Sequence, residues 1–201
     1  LTPHLNDDLL SSTQWKAIIN KVPCAINLIA AAAANDHPQL LQALTPHLDD
    51  VLFSSTQWHT IITEEPDTIS YIAAAAVNGH PQLLQALTSN SDNINLTSTQ
   101  WKTIIATALT TICNIVSAAE IHYPKLLQHL LSCASSMQIT PEQWKKIFTH
   151  PSATISAILL SSSYASPCLL NAAMPHHCEL DATTWHNMIS KEPQVIMQLA
   201  Y

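Results

Sequence analysis

Arginine is missing from this chain and glycine occurs once, at Gly79. The seven basic residues are all lysines, set against 14 acidic ones for a formal charge of -7. That balance argues against a protein that coats nucleic acid or binds polyanions. A single glycine excludes most phosphate-cradling loops, and no HExxH, GxSxG or protein-kinase signature occurs. Charge of either sign is scarce, at 10% of residues against about 25% in an ordinary soluble domain. Long apolar runs are lacking too: the run from Leu28 to Ala34 is seven residues, where a membrane helix needs about 20. The five cysteines (Cys24, Cys113, Cys133, Cys168, Cys178) are odd in number and irregularly spaced. They fit free thiols in a reducing, cytosolic setting better than a disulfide framework.

What the chain does have is a repeat. Trp15, Trp58, Trp101 and Trp144 stand 43 residues apart each time, and Trp185 follows after 41. Laid out as units 1–43, 44–86, 87–129, 130–172 and a partial 173–201, the first two agree at 29 of 43 positions. A period of this length marks an array of supersecondary units, each too small to close its own core and stabilised by its neighbours.

Three helices can be read in each unit. Ser11, Ser54, Thr97, Thr140 and Asp181 stand as N-caps, with Gln14, Gln57, Gln100, Gln143 and Thr184 three residues on. The first four pairs match a capping box. An apolar residue precedes each cap (Leu10, Phe53, Leu96, Ile139, Leu180) and each Trp lies four positions into the helix, the spacing of a hydrophobic staple. Helix A is expected to bury the Trp with Ile18 and Ile19 or their counterparts. Helix B is expected from Pro23 and Pro66, with alanine runs that permit close packing, and Gly79 stands where a left-handed C-terminal cap belongs. Helix C follows Pro38, Pro81, Pro124 and Pro167. Polar stretches such as 47–50 read as a loop or a single turn. No segment alternates as a strand does.

The expected fold is therefore all-α: a right-handed α-solenoid of about 4.7 tandem three-helix repeats, forming one helical-repeat domain over 1–201. The chain opens near the close of a helix C and ends inside a helix B, so it reads as an excerpt of a longer protein. The 43-residue period resembles armadillo and HEAT repeats, and AAAAVNGHPQLLQAL (73–87) resembles the end of an ankyrin repeat. Those resemblances imply a helical scaffold whose grooves bind proteins. The scarcity of Gly and Arg beside abundant Ile, Asn, Gln and His also resembles helical-repeat effectors delivered by intracellular bacteria, which implies the host cytosol. ITPEQWKKIF (139–148) and STQWKAII (12–19) resemble the start of a TAL-effector repeat, which implies DNA binding.

The five tryptophans read as core anchors rather than a stacking platform, because helix-spaced apolar residues surround each one. Directly after them come Lys16, His59, Lys102, Lys145 and His186, a column that either meets acidic groups of a partner or is a solvated face beside buried indoles. His4, His47, Asn90, Cys133 and His176 fall at equivalent positions. Stacked units about 8 to 10 Å apart would hold them too far apart for one metal ion. Cys168, His176, His177 and Cys178 match no established zinc spacing. Neither a metal, a cofactor nor a catalytic site is expected. The function expected first is a non-catalytic scaffold for a protein or extended peptide, with a TAL-like DNA-binding array or a structural spacer within a larger enzyme as alternatives.

Overall fold

A backbone that enters a helix leaves four N–H groups without partners, and the side chains here supply them. The computed structural model describes residues 10–51, 53–89, 91–108, 110–120, 123–133, 136–137, 140, 142–143, 182, 186 and 190. Among these residues every regular element is helical and no strand occurs. The chain divides into two compact units, Leu1–Asn95 and Leu96–Tyr201.

The first unit holds two successive copies of the repeat. In the first copy, α1 (Ser12–Lys21), α2 (Ala25–Ala34) and α3 (Gln39–Leu44) are followed by a 3-10 turn (Thr45–His47) and the short α4 (Leu48–Val51). The second copy has α5 (Ser55–Glu64), α6 (Thr68–Val77), α7 (Gln82–Thr88) and a 3-10 turn (Ser91–Ile94). In the second unit, α8 (Ser98–Thr107), α9 (Thr111–Glu120) and α10 (Lys125–Cys133) repeat the order.

The capping boxes form as expected. The Gln14 and Gln57 backbone N–H groups donate to Ser11 Oγ (3.4 Å) and Ser54 Oγ (3.2 Å), and each Gln Oε1 accepts from the cap's own N–H. Thr97 with Gln100 and Thr140 with Gln143 do the same. Replacing Ser54 by Ala removes one acceptor from an exposed helix end and should lower stability by about 1 kcal/mol. A urea titration would show this as a lower midpoint at unchanged slope.

Each helix A breaks into helix B through one extended residue, and α1 meets α2 at 106°. Val22 (φ -138) and Glu65 (φ -130) precede prolines, which disfavour the helical region for the residue before them. Ala108 takes a similar conformation (φ -129), although position 109 is Leu. The bend therefore does not depend on proline alone. Helix B begins two residues after Pro23 and Pro66, because the proline occupies the turn rather than the first helical position.

Helix B ends in a Schellman motif in the first two copies, and the outer bond of that motif is present in the third. The N–H of His37 reaches the Ala32 carbonyl (2.9 Å), that of His80 the Ala75 carbonyl (2.8 Å) and that of Tyr123 the Ala118 carbonyl (3.0 Å). Gly79 takes the left-handed position at φ +88, and Asp36 takes it in the first copy at φ 61. Asp is among the few side chains that tolerate this region.

The core of the first unit lies between the two helix-B segments, α2 packing along α6. Ala30 and Ala33 on α2 and Ala73 and Ala76 on α6 are buried, and such small side chains let two helix backbones approach closely. The Asn78 side-chain amide donates to the Ala34 carbonyl (2.8 Å), satisfying one of the orphan groups at the end of α2 from the neighbouring copy. Trp58 is fully buried and its ring lies 4.7 Å from that of Phe53, so the staple is present. Trp15 and Trp101 are buried as expected; Trp144 and Trp185 lie outside the described residues.

One expectation needs correcting. Ile18, expected in the core, is 36% exposed, whereas Ile61 at the same place in the second copy is 1% exposed. Ile61 shares a cleft with Ile19 and Pro23 of the copy before it, and no described copy stands before α1. The polar stretch 47–50, read as a loop or a single turn, is helical: His47 ends the 3-10 turn and Leu48–Val51 form the single turn of α4. Val51 and Leu44 are buried on either side of it, and Ser12 of α1 holds it from above.

In the second unit, Trp101, Ile104, Ile105, Ile112, Ile115 and Leu126 are buried. The Cys133 thiol donates to the Leu96 carbonyl (3.6 Å). On α10, loss of solvent around His129 pulls its imidazole below the ordinary histidine pKa. The folded state then binds fewer protons than the unfolded one at acid pH, so stability falls as pH drops through about 6.5 and below. His129→Gln should flatten that part of the stability-against-pH curve, as read from thermal melts at successive pH values.

Candidate functional site

The surface nearest to a binding site is built by helix A of successive copies. On a helix with a Trp turned inward, the next residue lies about 100° further round and so leaves the core. Lys16 on α1 is accordingly exposed, while His59 on α5 and Lys102 on α8 are half-buried. His186 is helical and exposed; Lys145 lies outside the described residues. Within the first unit, Lys16 and His59 therefore occupy the same place on two neighbouring helix-A segments.

Between those helices runs a cleft of about 190 Å³ lined by Ile19, Asn20, Pro23, Thr56, Gln57, Thr60 and Ile61. Ile19 and Ile61 are buried and form an apolar floor. The rim is polar, and the Gln57 side-chain amide donates to Asn20 Oδ1 across it. Thr60 Oγ1 is tied to the Thr56 carbonyl (3.0 Å). Lys16 stands one helical turn before Asn20, on the same side of α1. The cleft thus joins an apolar floor to uncharged polar groups at its rim, with Lys16 nearby. Its lining includes no Cys, His, Asp or Glu side chain.

A second polar group was not legible in the sequence. Ser12 Oγ lies 3.0 Å from His47 Nδ1 and donates to Asp50 Oδ2 (2.9 Å). These are the residue types of an acyl-transfer triad, but the order is wrong. In such a triad the histidine takes the serine proton and the acid orients the histidine. Here the serine stands between the other two and gives its only proton to the carboxylate, and His47 Nε2 is buried without a hydrogen-bond partner. The second unit replaces this group by Ser98 and Ser136 (2.6 Å) at equivalent positions. The contact ties the helical turn after helix C back to the first turn of the preceding helix A, and Ser12/Ser98 with Asp50/Ser136 at a separation of 38 is the only signal the sequence carried for it.

Of the equivalent positions first considered for metal, His47 is engaged with Ser12 and Cys133 with the Leu96 carbonyl. His4, Asn90 and His176 lie outside the described residues, as do Cys168, His177 and Cys178. Among the described residues no three His, Cys, Asp or Glu side chains come together as metal ligands. Cys24, Cys113 and Cys133 take part in no disulfide, and no single described helix is long and apolar enough to cross a membrane. The chain matches no protein-family model, no curated protein and no solved structure. The functional reading rests on the geometry of its own residues.

Proposed function

We propose that the 43-residue copies stack as a right-handed α-solenoid that serves as a non-catalytic scaffold, holding a protein or an extended peptide along its helix-A side. The observation that carries this reading is the α1–α5 cleft, where consecutive copies join an apolar floor to a polar rim beside Lys16 and His59. Solenoids present surfaces of this kind without needing fixed reaction chemistry. Support for stacking comes from α2 lying along α6 and from the Asn78 bond to the end of α2. The partner's chemistry follows from the column Lys16, His59, Lys102, Lys145 and His186: acidic side chains at intervals of one copy. Five cysteines at irregular spacing favour a reducing compartment such as the cytosol.

The test is binding of a fluorescent acidic peptide by anisotropy, beside a random DNA duplex and across a salt series. Peptide binding with little affinity for the duplex supports the scaffold; duplex binding that falls steeply with salt would replace it by nucleic-acid recognition. Changing Lys16, Lys102 and Lys145 together to Ser should leave the melting temperature nearly unchanged. Peptide affinity should drop about tenfold, since surface pairings are worth up to about 1 kcal/mol each. A collapse of the fold in that variant would make the column structural instead.

A further inference from the structure

Asn78 and Gly79 form the one Asn-Gly step in the chain, and they stand at the end of α6, where the second copy touches the first. Both residues are exposed. A side chain built at Gly79 would meet no atom within 4 Å, so nothing crowds this step from outside. Before a glycine, an asparagine is open to attack on its side-chain amide carbon by the next backbone nitrogen, because no Cβ obstructs the approach. The attack forms a bond from Gly79 N to Asn78 Cγ and breaks the Cγ–Nδ2 bond, and ammonia leaves with the Gly79 amide proton. Water then opens the cyclic imide at either carbonyl, giving aspartate or isoaspartate.

The folded chain holds the reacting groups apart. Asn78 has ψ 14°, which turns the Gly79 nitrogen over Asn78's own nitrogen and away from its Cβ and Cγ. The Gly79 N–H donates to the Ala76 carbonyl (3.1 Å), and the amide that would leave donates to the Ala34 carbonyl of α2 (2.8 Å). Ring closure therefore needs the end of α6 to open, and the same opening releases the Asn78 tie between the copies. Asn35, at the same place in the first copy, differs in both respects: its amide donates to Ala31 of its own helix (2.8 Å), and Asp36 follows it.

We propose that Asn78 is a self-modification site that records opening of the junction between the first two copies and, once converted, weakens it. An ionised carboxylate is an acceptor only, so the product cannot donate to Ala34. It also sets a negative charge against the carbonyl end of α2, the negative pole of that helix. In isoaspartate the main chain runs through the former side chain, and the added methylene takes Gly79 and His80 out of register with Ala76 and Ala75.

The experiment incubates the full chain at mildly alkaline pH, native and in urea, and follows the amide-to-acid change at each asparagine by mass spectrometry of proteolytic fragments. In urea, position 78 should convert faster than any other asparagine. In native buffer it should convert on the order of tenfold or more slowly, with the rate rising on warming toward the melt, as reaction from a rarely open state requires. Asn78→Asp, the product with an unaltered backbone, should melt below the parent, and Asn78→Ala, which removes the donor without adding charge, should fall between them. Conversion at 78 in urea no faster than at Asn35 overturns the site. Equal rates in native buffer and in urea, or no native conversion just below the melt, overturn its coupling to opening. An Asn78→Asp melt that overlays the parent overturns the effect on the junction.

Discussion

Trp58→Ala should lower stability by about 3 to 5 kcal/mol, the range for removing a buried indole from a core that cannot fully collapse around the gap. The indole is 0% exposed and packs against the Phe53 ring 4.7 Å away, where the chain enters α5. Its loss therefore empties a cavity and also releases the staple that sets the direction of that entry. For a chain of this length the melting temperature should fall on the order of 10 °C. Phe53 is itself 8% exposed, so Phe53→Leu, which keeps an apolar side chain at the staple, should cost much less. Differential scanning calorimetry of the two variants measures both effects. A Trp58→Ala melt that overlays the parent would remove the indole from the core.

Ala73→Leu should cost about 1 to 3 kcal/mol by overpacking. Alanine and leucine have nearly equal helix propensity, so any loss reports tertiary crowding rather than helix formation. Ala73 is 0% exposed on α6, as are Ala30 and Ala33 on α2. There is no room for three further carbon atoms without separating the helices or shifting a backbone. Ala17→Leu on the exposed side of α1 is the matched comparison and should change stability by no more than about 0.5 kcal/mol. Equal behaviour of the two variants in urea titrations would show that the alanines are not at a close helix contact.

The helix starts were legible because capping is local chemistry: Ser54 and Gln57 meet within one turn whatever the rest of the chain does. The left-handed residue at Gly79 was legible for the same reason, since only glycine adopts that conformation freely. Asp36 was not, because an aspartate at that place is as compatible with an ordinary turn. Burial was legible at Trp58 and Ile61 but not at Ile18, whose sequence surroundings nearly repeat those of Ile61. The difference between 36% and 1% exposure lies in what stands against each residue, and local sequence does not carry that. The same limit applies to the helical turns at 45–51, where a polar sequence is held by a buried Val51 and by Ser12. Of the candidate site, the period placed Lys16 and His59 at one position on successive helices, while the Asn20 and Gln57 rim emerged only when α1 and α5 were brought side by side.

The central claim is that 43 residues form the structural unit and that neighbouring units supply each other's core. Removing residues 44–86 in one piece and following far-UV circular dichroism through a thermal melt tests it most directly. The stacked-copy account predicts that the shortened chain keeps its helicity per residue and melts cooperatively at a lower temperature, because one whole period is removed and every remaining helix keeps its place in the repeat. Removing 44–64 alone, which takes away α5 and leaves α6 out of register, should abolish the cooperative transition. Loss of helical signal and of cooperativity on deleting the whole unit, to the same degree as on deleting the half, would contradict the account.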